Sequence, residues 1–335
     1  MTYNTLPYRQ APTAAAHPIY GGRNLRRDLN VIFAALTIHC CSYFFSWIIN
    51  DAVYLTLSAL FPFDEAHYAV LYASEAITYT IEFIIPAVII MAFGHISPFR
   101  LAQLPEGGQT VRGRPKIGLF YAVFAGLCAV ETAGIISGMI LDMFESAGFD
   151  FYVGLSEELP ADIGGIIAYL VSVAVVPGFV EELLFRGCVA GVLKRYNAAF
   201  AVILSSLLFA LMHCTVQQFF YAFCAGLVFG WLAVYTGRLW PGMLIHMLNN
   251  AISVGYDYIY TMLDRDLYAI LYVSISSVIM ALGVFGMIML MRRGGRLPES
   301  VNEVSLRAAA GAAIRPLSVI YIIVVALVTV MVLSV

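Results

Sequence analysis

Long apolar runs separated by short polar segments make up most of the chain from residue 29 onward. A run of about 20 apolar residues is long enough to cross a bilayer as a helix. Such runs lie at 29–50, 70–94, 117–141, 162–193, 198–214, 217–236, 241–260, 267–291 and 314–335. The pattern predicts an all-α, polytopic membrane protein with about nine transmembrane helices, or eight, because 198–214 and 217–236 lie close together. In 51–69, Pro62, Asp64 and Glu65 break the apolar pattern and predict a helix extension or a surface segment.

The composition supports this class and excludes several functions. Hydrophobic residues make up 61% of the 335 residues and charged residues only 12%, with a mean hydropathy of +0.86. Soluble domains are about half apolar and about a quarter charged. The net charge of −3 and the lack of a glycine-rich phosphate loop give no indication of nucleic-acid binding. All six cysteines fall in or beside apolar runs, so their spacing predicts neither a disulfide framework nor a zinc-type cysteine pair.

Basic residues concentrate in alternate connecting segments. They precede the first span and recur within 95–116, at Lys194 and Arg195, at Arg238 and within 292–315, whereas the other loops are acidic or short. Under a nine-span count all the basic segments fall on one side, which the positive-inside rule assigns to the cytoplasm. The N-terminus carries no signal-peptide pattern and is predicted to be cytoplasmic. The short loops favour a prokaryotic plasma membrane.

These patterns divide the chain into four parts. We predict a cytoplasmic tail over 1–28, transmembrane helices with an acidic extracytoplasmic loop over 29–161, a polar helical core over 162–260, and further transmembrane helices over 261–335. Glu75, Glu82 and Glu131 lie in the second part and have no obvious partner in the sequence. They are expected either to line an access path or to pair with polar neighbours.

The third part contains the densest cluster of intramembrane charges, Glu181, Glu182 and Arg186, just after a Pro-Gly step at 177–178. Each such group costs about 2.5–3.5 kcal/mol near the centre of a bilayer. Residues four apart share one face of a helix, whereas neighbours diverge by about 100°. Glu182 and Arg186 are therefore predicted to form an ion pair, and Glu181 is predicted to point elsewhere as a free carboxylate.

Two further helices carry polar groups at similar spacing. Phe209 lies one turn before His213, and His246 lies one turn before Asn250, so each pair shares a helix face. A carboxylate and two imidazoles can move protons, and an amide can donate a hydrogen bond to a developing oxyanion. The sequence therefore predicts a buried polar cavity, formed by Glu181, His213, His246 and Asn250, that activates water.

These three motifs resemble, in order and spacing, those of the CPBP family, the CAAX prenyl endopeptidases and bacteriocin-processing (Abi) intramembrane proteases. The resemblance covers about 165–255 and implies an intramembrane endopeptidase. It implies that Glu181 is the general base, assisted by His213, and that His246 and Asn250 stabilise the oxyanion. Glu182 and Arg186, with Phe209 beneath His213, would support the site structurally.

The resemblance also implies a peptide or protein substrate, membrane-bound or lipidated, in contact with the lipid bilayer. In a prokaryote, processing of peptide signals, bacteriocins or membrane-bound precursors is favoured over cleavage of prenylated proteins. Zinc could be held by Glu181, His213 and His246, although the zincin motif His-Glu-x-x-His is absent. Hydrolysis that depends on glutamate and requires no cofactor is favoured. The alternatives are a catalytically silent scaffold or immunity protein that uses the same pocket, and a proton-coupled transporter.

Overall fold

A computed structural model of the chain describes residues 24–61, 67–94, 118–151, 159–292 and 304–333. Helices form most of these residues, which contain no β-strand, and the predicted all-α class is confirmed. The helices are α1 Leu25–Ser42, α2 Ser46–Leu60, α3 His67–Gly94, α4 Leu119–Ser146, α5 Ile163–Leu193, α6 Ala198–Met212, α7 Val216–Thr236, α8 Trp240–Met262, α9 Arg265–Arg292, α10 Leu306–Ala313 and α11 Pro316–Leu333. The predicted tail falls mostly on 1–23, and the basic segment falls on 95–116; both lie outside the described residues.

Every predicted apolar run contains a helix, but the count of nine spans is not confirmed. Within the described ranges, six helices are long and apolar enough to cross a membrane, namely α3, α4, α5, α7, α9 and α11. A seventh span results if α1 and α2, which meet at an angle of 63°, are taken together. The apolar helix α6 has only 15 residues. These helices are those of a membrane protein.

The first predicted span, 29–50, differs from the structure. Helix α1 ends at Ser42, and a bend of three residues separates it from α2, which continues to Leu60. At the bend the Ser42 hydroxyl donates to the carbonyl of His39 at 2.6 Å. Such a bond competes with the helical ladder. The helix extension expected within 51–69 is therefore real over 51–60, but it belongs to a second, bent helix whose residues are all at least partly exposed.

Helix α5 carries the charge cluster and has an irregular backbone. Asp162 caps its first turn by accepting a hydrogen bond from the amide of Gly165 at 2.7 Å. Two π-helical stretches, Val171–Val175 and Leu183–Val189, lie on either side of an α-helical segment, Val176–Glu182. Wider π turns are often found at functional sites. Here they bracket the two glutamates.

The core lies among α1, α3, α5, α6 and α11, where Leu29, Phe185, Leu208 and Tyr321 are at most 1% exposed. On the other side, α4 and α9 approach closely because Gly283 has no side chain; a Cβ there would lie 1.9 Å from the Cβ of Cys128. The outward faces of α9 and α11 expose apolar side chains, as lipid-facing helices do. The polar groups are gathered between these two packed regions.

Candidate active site

Helix α5 directs its two glutamates to different surroundings. The Glu182 carboxylate accepts a hydrogen bond from Arg186 Nη1 at 2.8 Å, and these side chains are 1% and 0% exposed. Arg186 Nη2 also donates to the carbonyl of Gly226 on α7 at 3.2 Å. The guanidinium carbon lies 4.4 Å from the centre of the Phe209 ring and 5.3 Å from that of Phe229. The arginine is thus enclosed by one carboxylate, one carbonyl and two aromatic faces, all of which stabilise a cation.

Glu181 is also buried, at 3% exposure, but no arginine among the described residues forms an ion pair with it. The Tyr79 hydroxyl on α3 donates a hydrogen bond to Glu181 Oε1. The other oxygen, Oε2, has no hydrogen-bond partner among the described residues. It lies 3.7 Å from His246 Nε2, which is too long for a hydrogen bond. One oxygen of this carboxylate therefore remains available to accept a proton or a hydrogen bond.

His213 follows the last residue of α6, and its tautomer can be derived from its contact. Its Nδ1 lies 2.8 Å from the carbonyl oxygen of Phe209. Because a carbonyl can only accept, Nδ1 carries the proton and Nε2 of the neutral ring is an acceptor. The edge of the imidazole packs against the Phe209 ring, with the ring centres 5.0 Å apart. Cys214 then ends the helix with a positive φ of 53°.

His246 on α8 lies between the two glutamates. Its Nδ1 is 3.3 Å from Glu182 Oε1, and its Nε2 faces Glu181 Oε2. The ring stacks on Phe229 with a centre distance of 5.1 Å. This close approach of α8 to α5 depends on Gly178, where a Cβ would lie 2.6 Å from Met247 Cγ and 3.0 Å from the Met247 amide nitrogen.

Asn250, one turn further along α8, bonds to α5. Its side-chain Nδ2 donates to the carbonyl of Val173 at 3.1 Å. Its Oδ1 accepts from Asn249 Nδ2 at 3.2 Å, and the Asn249 amide nitrogen also donates to the Tyr221 hydroxyl. Asn250 is therefore held in place by the backbone of α5 and by a neighbouring amide.

A cavity of about 1190 Å³ brings these groups together. Of the seven residues predicted for the site, five line it: Glu181, Phe209, His213, His246 and Asn250. Glu182 and Arg186 lie behind its wall and are not among its lining residues. Glu75, Glu82 and Glu131 also line the cavity, and Glu131 accepts a hydrogen bond from the Ser276 hydroxyl at 2.5 Å. Both expectations for these three carboxylates thus have support, since they line the cavity and Glu131 has a polar partner.

Sequence reasoning assigned no role to several polar cavity-lining residues, among them Tyr79, Tyr221 and Asn249. Tyr79 could have been found, because it lies four residues after Glu75 and three before Glu82 on an otherwise apolar helix. Those spacings place all three side chains on one face of α3. Tyr221 lies in an aromatic stretch of α7 and has no comparable signal.

A zinc site needs three or four side chains whose ligand atoms converge on one point. In the part of the chain that the structure describes, no group of three or more His, Cys, Asp and Glu side chains is placed to hold one. Glu181, His213 and His246 in this arrangement do not fit a ready-made zinc site of three ligands. The mechanism proposed below therefore assigns no role to a metal.

The similarity to known proteins includes the helices that carry the site. Residues 163–252 match the family described as "Type II CAAX prenyl endopeptidase Rce1-like". The chain is also 25% identical over 130 residues to "Putative membrane peptidase YdiL" of Bacillus subtilis (strain 168), an alignment that covers 36% of this chain and 53% of that protein. The chain thus spans about half the length of this curated relative. No solved structure matches the chain. The resemblance predicted from the motifs is confirmed, and the matched residues 163–252 run from the start of α5 into α8.

Proposed function

We propose that this protein is an intramembrane endopeptidase that hydrolyses a peptide bond of a membrane-associated peptide or protein. The observation that carries the proposal is the state of Glu181. This carboxylate is 3% exposed, and within the described part of the chain one of its oxygens has no hydrogen-bond partner, at the wall of a large cavity and beside His246. Such a group suits a general base that binds and deprotonates water. The Rce1-like match supports a peptidase among membrane proteins.

In the proposed reaction, Glu181 Oε2 takes a proton from a water molecule, and the resulting hydroxide attacks the carbonyl carbon of the scissile peptide bond. His213, whose Nε2 is an acceptor, helps to orient that water. The carbon–nitrogen bond then breaks as the proton held by Glu181 passes to the leaving amine. Atoms and charge balance without a cofactor.

His246 and Asn250 stabilise the negative oxygen of the tetrahedral intermediate in this scheme. Asn250 has two amide N–H donors, and its bond to Val173 uses only one of them. His246 Nε2 lies 3.7 Å from Glu181 Oε2 at the wall of the same cavity, so an N–H at this nitrogen can donate to an oxyanion that forms beside Glu181. Removing one oxyanion donor costs about 100- to 1000-fold in rate in well-studied hydrolases.

The proposal places the protein in a prokaryotic plasma membrane with a cytoplasmic N-terminus, as the loop charges predict. The test is cleavage of an apolar peptide library by the purified protein in lipid nanodiscs, read by mass spectrometry. Glu181→Gln should lower the rate by about 10²- to 10⁴-fold, the range that general-base catalysis contributes. Glu145→Gln is the matched control, since this exposed residue lies in the last turn of α4.

Undiminished cleavage by a folded Glu181→Gln protein would overturn the mechanism. Absence of cleavage by the unchanged protein, together with tight binding of a peptide, would favour the silent scaffold instead.

A further inference from the structure

The cavity wall is strongly acidic beyond the catalytic groups. Five carboxylates line it, from Glu75, Glu82, Glu131, Glu181 and Asp257, and no lysine or arginine is among the described lining residues. The remaining ionisable side chains at the wall include three histidines, His39, His213 and His246. His39 is engaged elsewhere, since its Nδ1 donates to the carbonyl of Glu82 at 3.1 Å. The cavity thus presents an excess of negative groups to whatever enters it.

One of these carboxylates has no role in the proposed chemistry and is not fully paired. Glu82 is 9% exposed and lines the cavity, and its Oε1 has no hydrogen-bond partner among the described residues. A buried carboxylate oxygen without a donor carries a large desolvation penalty. That penalty is relieved when a cation binds, because an ammonium or guanidinium group supplies charge and hydrogen bonds together.

The position of Glu82 fixes where such a cation would lie. Glu82 follows Tyr79, the hydrogen-bond donor to Glu181, by three residues on the same face of α3. Three residues of helix advance by about 4.5 Å. An extended peptide advances by about 3.3 Å per residue. A cation bound to Glu82 would therefore belong to a residue within about two positions of the bond that Glu181 attacks.

The surroundings of Glu82 also suit a basic chain that arrives from the membrane surface. Tyr43 from the bend between α1 and α2, and Ser46 and Trp47 from the start of α2, line the same cavity. Tyr43 and Trp47 are 49% and 64% exposed, so this part of the wall reaches the protein surface. Tyr and Trp side chains favour the interface between lipid and water, and their rings attract cations.

We infer that the cavity selects peptide segments that carry a lysine or arginine within about two residues of the scissile bond, and that Glu82 binds this cation. The inference rests on the proposed endopeptidase function and adds a substrate class to it. Glu82 is a specificity residue here and takes no part in activating the water.

The test uses apolar 14-residue peptides that differ at one position, which carries lysine, the neutral isostere norleucine, or glutamate. Cleavage and binding are measured on the full chain in nanodiscs. The lysine peptide should be cleaved about 10- to 100-fold more efficiently than the norleucine peptide, in kcat/KM. Glu82→Gln should abolish this preference, chiefly by lowering kcat/KM for the lysine peptide. Glu82→Lys should transfer the preference to the glutamate peptide, and Glu145→Gln is the control for overall charge.

Equal efficiencies for the lysine and norleucine peptides with the unchanged protein would overturn the inference, as would a lysine preference that survives in Glu82→Gln. Failure of the endopeptidase proposal would instead appear as a lack of cleavage of every peptide. If none of the peptides is cleaved, the binding affinities of the lysine and norleucine peptides are compared instead. Tighter binding of the lysine peptide that is lost in Glu82→Gln supports the cation site, and equal affinities refute it.

Discussion

Arg186 offers the sharpest test of how the fold holds the site. Its guanidinium is fully buried and contacts the Glu182 carboxylate at 2.8 Å, the Gly226 carbonyl at 3.2 Å and two phenylalanine rings. Arg186→Met retains an unbranched, apolar stem but removes the charged guanidinium. Of the polar partners that the structure describes for Glu182, which is 1% exposed, His246 Nδ1 at 3.3 Å then remains.

The expected loss of stability in Arg186→Met arises because the Glu182 carboxylate stays buried without its cation. Breaking a buried ion pair by removing one partner costs about 3–5 kcal/mol. Arg186→Met also removes the cation–π contacts, which are worth about 2 kcal/mol when desolvated. Replacement of both partners removes the uncompensated charge, and such double replacements are often close to neutral. Arg186→Met and Glu182→Gln should therefore each be strongly destabilising, whereas the double variant should cost clearly less than their sum.

The measurement is the free energy of unfolding in detergent micelles, followed by circular dichroism over a denaturant series. The four proteins of the double-mutant cycle give the coupling between the two side chains. Arg292→Met is the matched control, since Arg292 is exposed in the last turn of α9 and should change stability by at most about 0.5 kcal/mol. Additive costs in the cycle, or an Arg186→Met variant as stable as Arg292→Met, would refute the buried pair.

Three further outcomes are expected. Tyr79→Phe keeps the ring packed on Phe83 but removes the hydrogen bond from the hydroxyl to Glu181, so kcat should fall by about tenfold or more with little change in KM. The control Tyr256→Phe loses a bond to Ser276 and should not change kcat. Equal effects of the two substitutions on kcat would contradict the role given to Tyr79. Gly178→Ala should destabilise the protein by about 1–3 kcal/mol and slow cleavage, because the methyl group pushes α8 away from α5; unchanged unfolding would contradict the close approach. Protein freed of metal by a chelator should cleave peptides at the full rate, and a loss of rate that zinc restores would overturn the metal-free mechanism.

The sequence predicted the helical class and the region of the site because both depend on local patterns. Apolar runs of sufficient length form helices, and the spacing of Glu182 and Arg186 predicted a contact that the structure contains. The contact exists although Arg186 lies in a π-helical stretch, Leu183–Val189. One wider turn shifts the register by a fraction of a turn, and the long arginine side chain spans the difference.

The features that the sequence did not predict depend on how distant segments of the chain lie in space. The Tyr79 bond to Glu181 joins residues 102 positions apart. Nothing in the spacing within either helix specifies that α3 lies beside α5. The bend between α1 and α2 was missed for a related reason, since an apolar run indicates burial or lipid contact but not the direction of its axis.

Asn250 shows how a break in one helix can position a group on another. Pro177 has no backbone N–H and so cannot donate to the carbonyl four residues earlier, which belongs to Val173. In a bilayer such a carbonyl needs another donor, because an unsatisfied backbone group costs several kcal/mol there. The Asn250 amide supplies it at 3.1 Å. Pro177 thus cannot offer the donor that a regular α-helix would give this carbonyl, and the carbonyl accepts from Asn250, one turn beyond His246. The second N–H of the same amide is left for the oxyanion, so in the proposed mechanism the helix break and the oxyanion donor depend on each other.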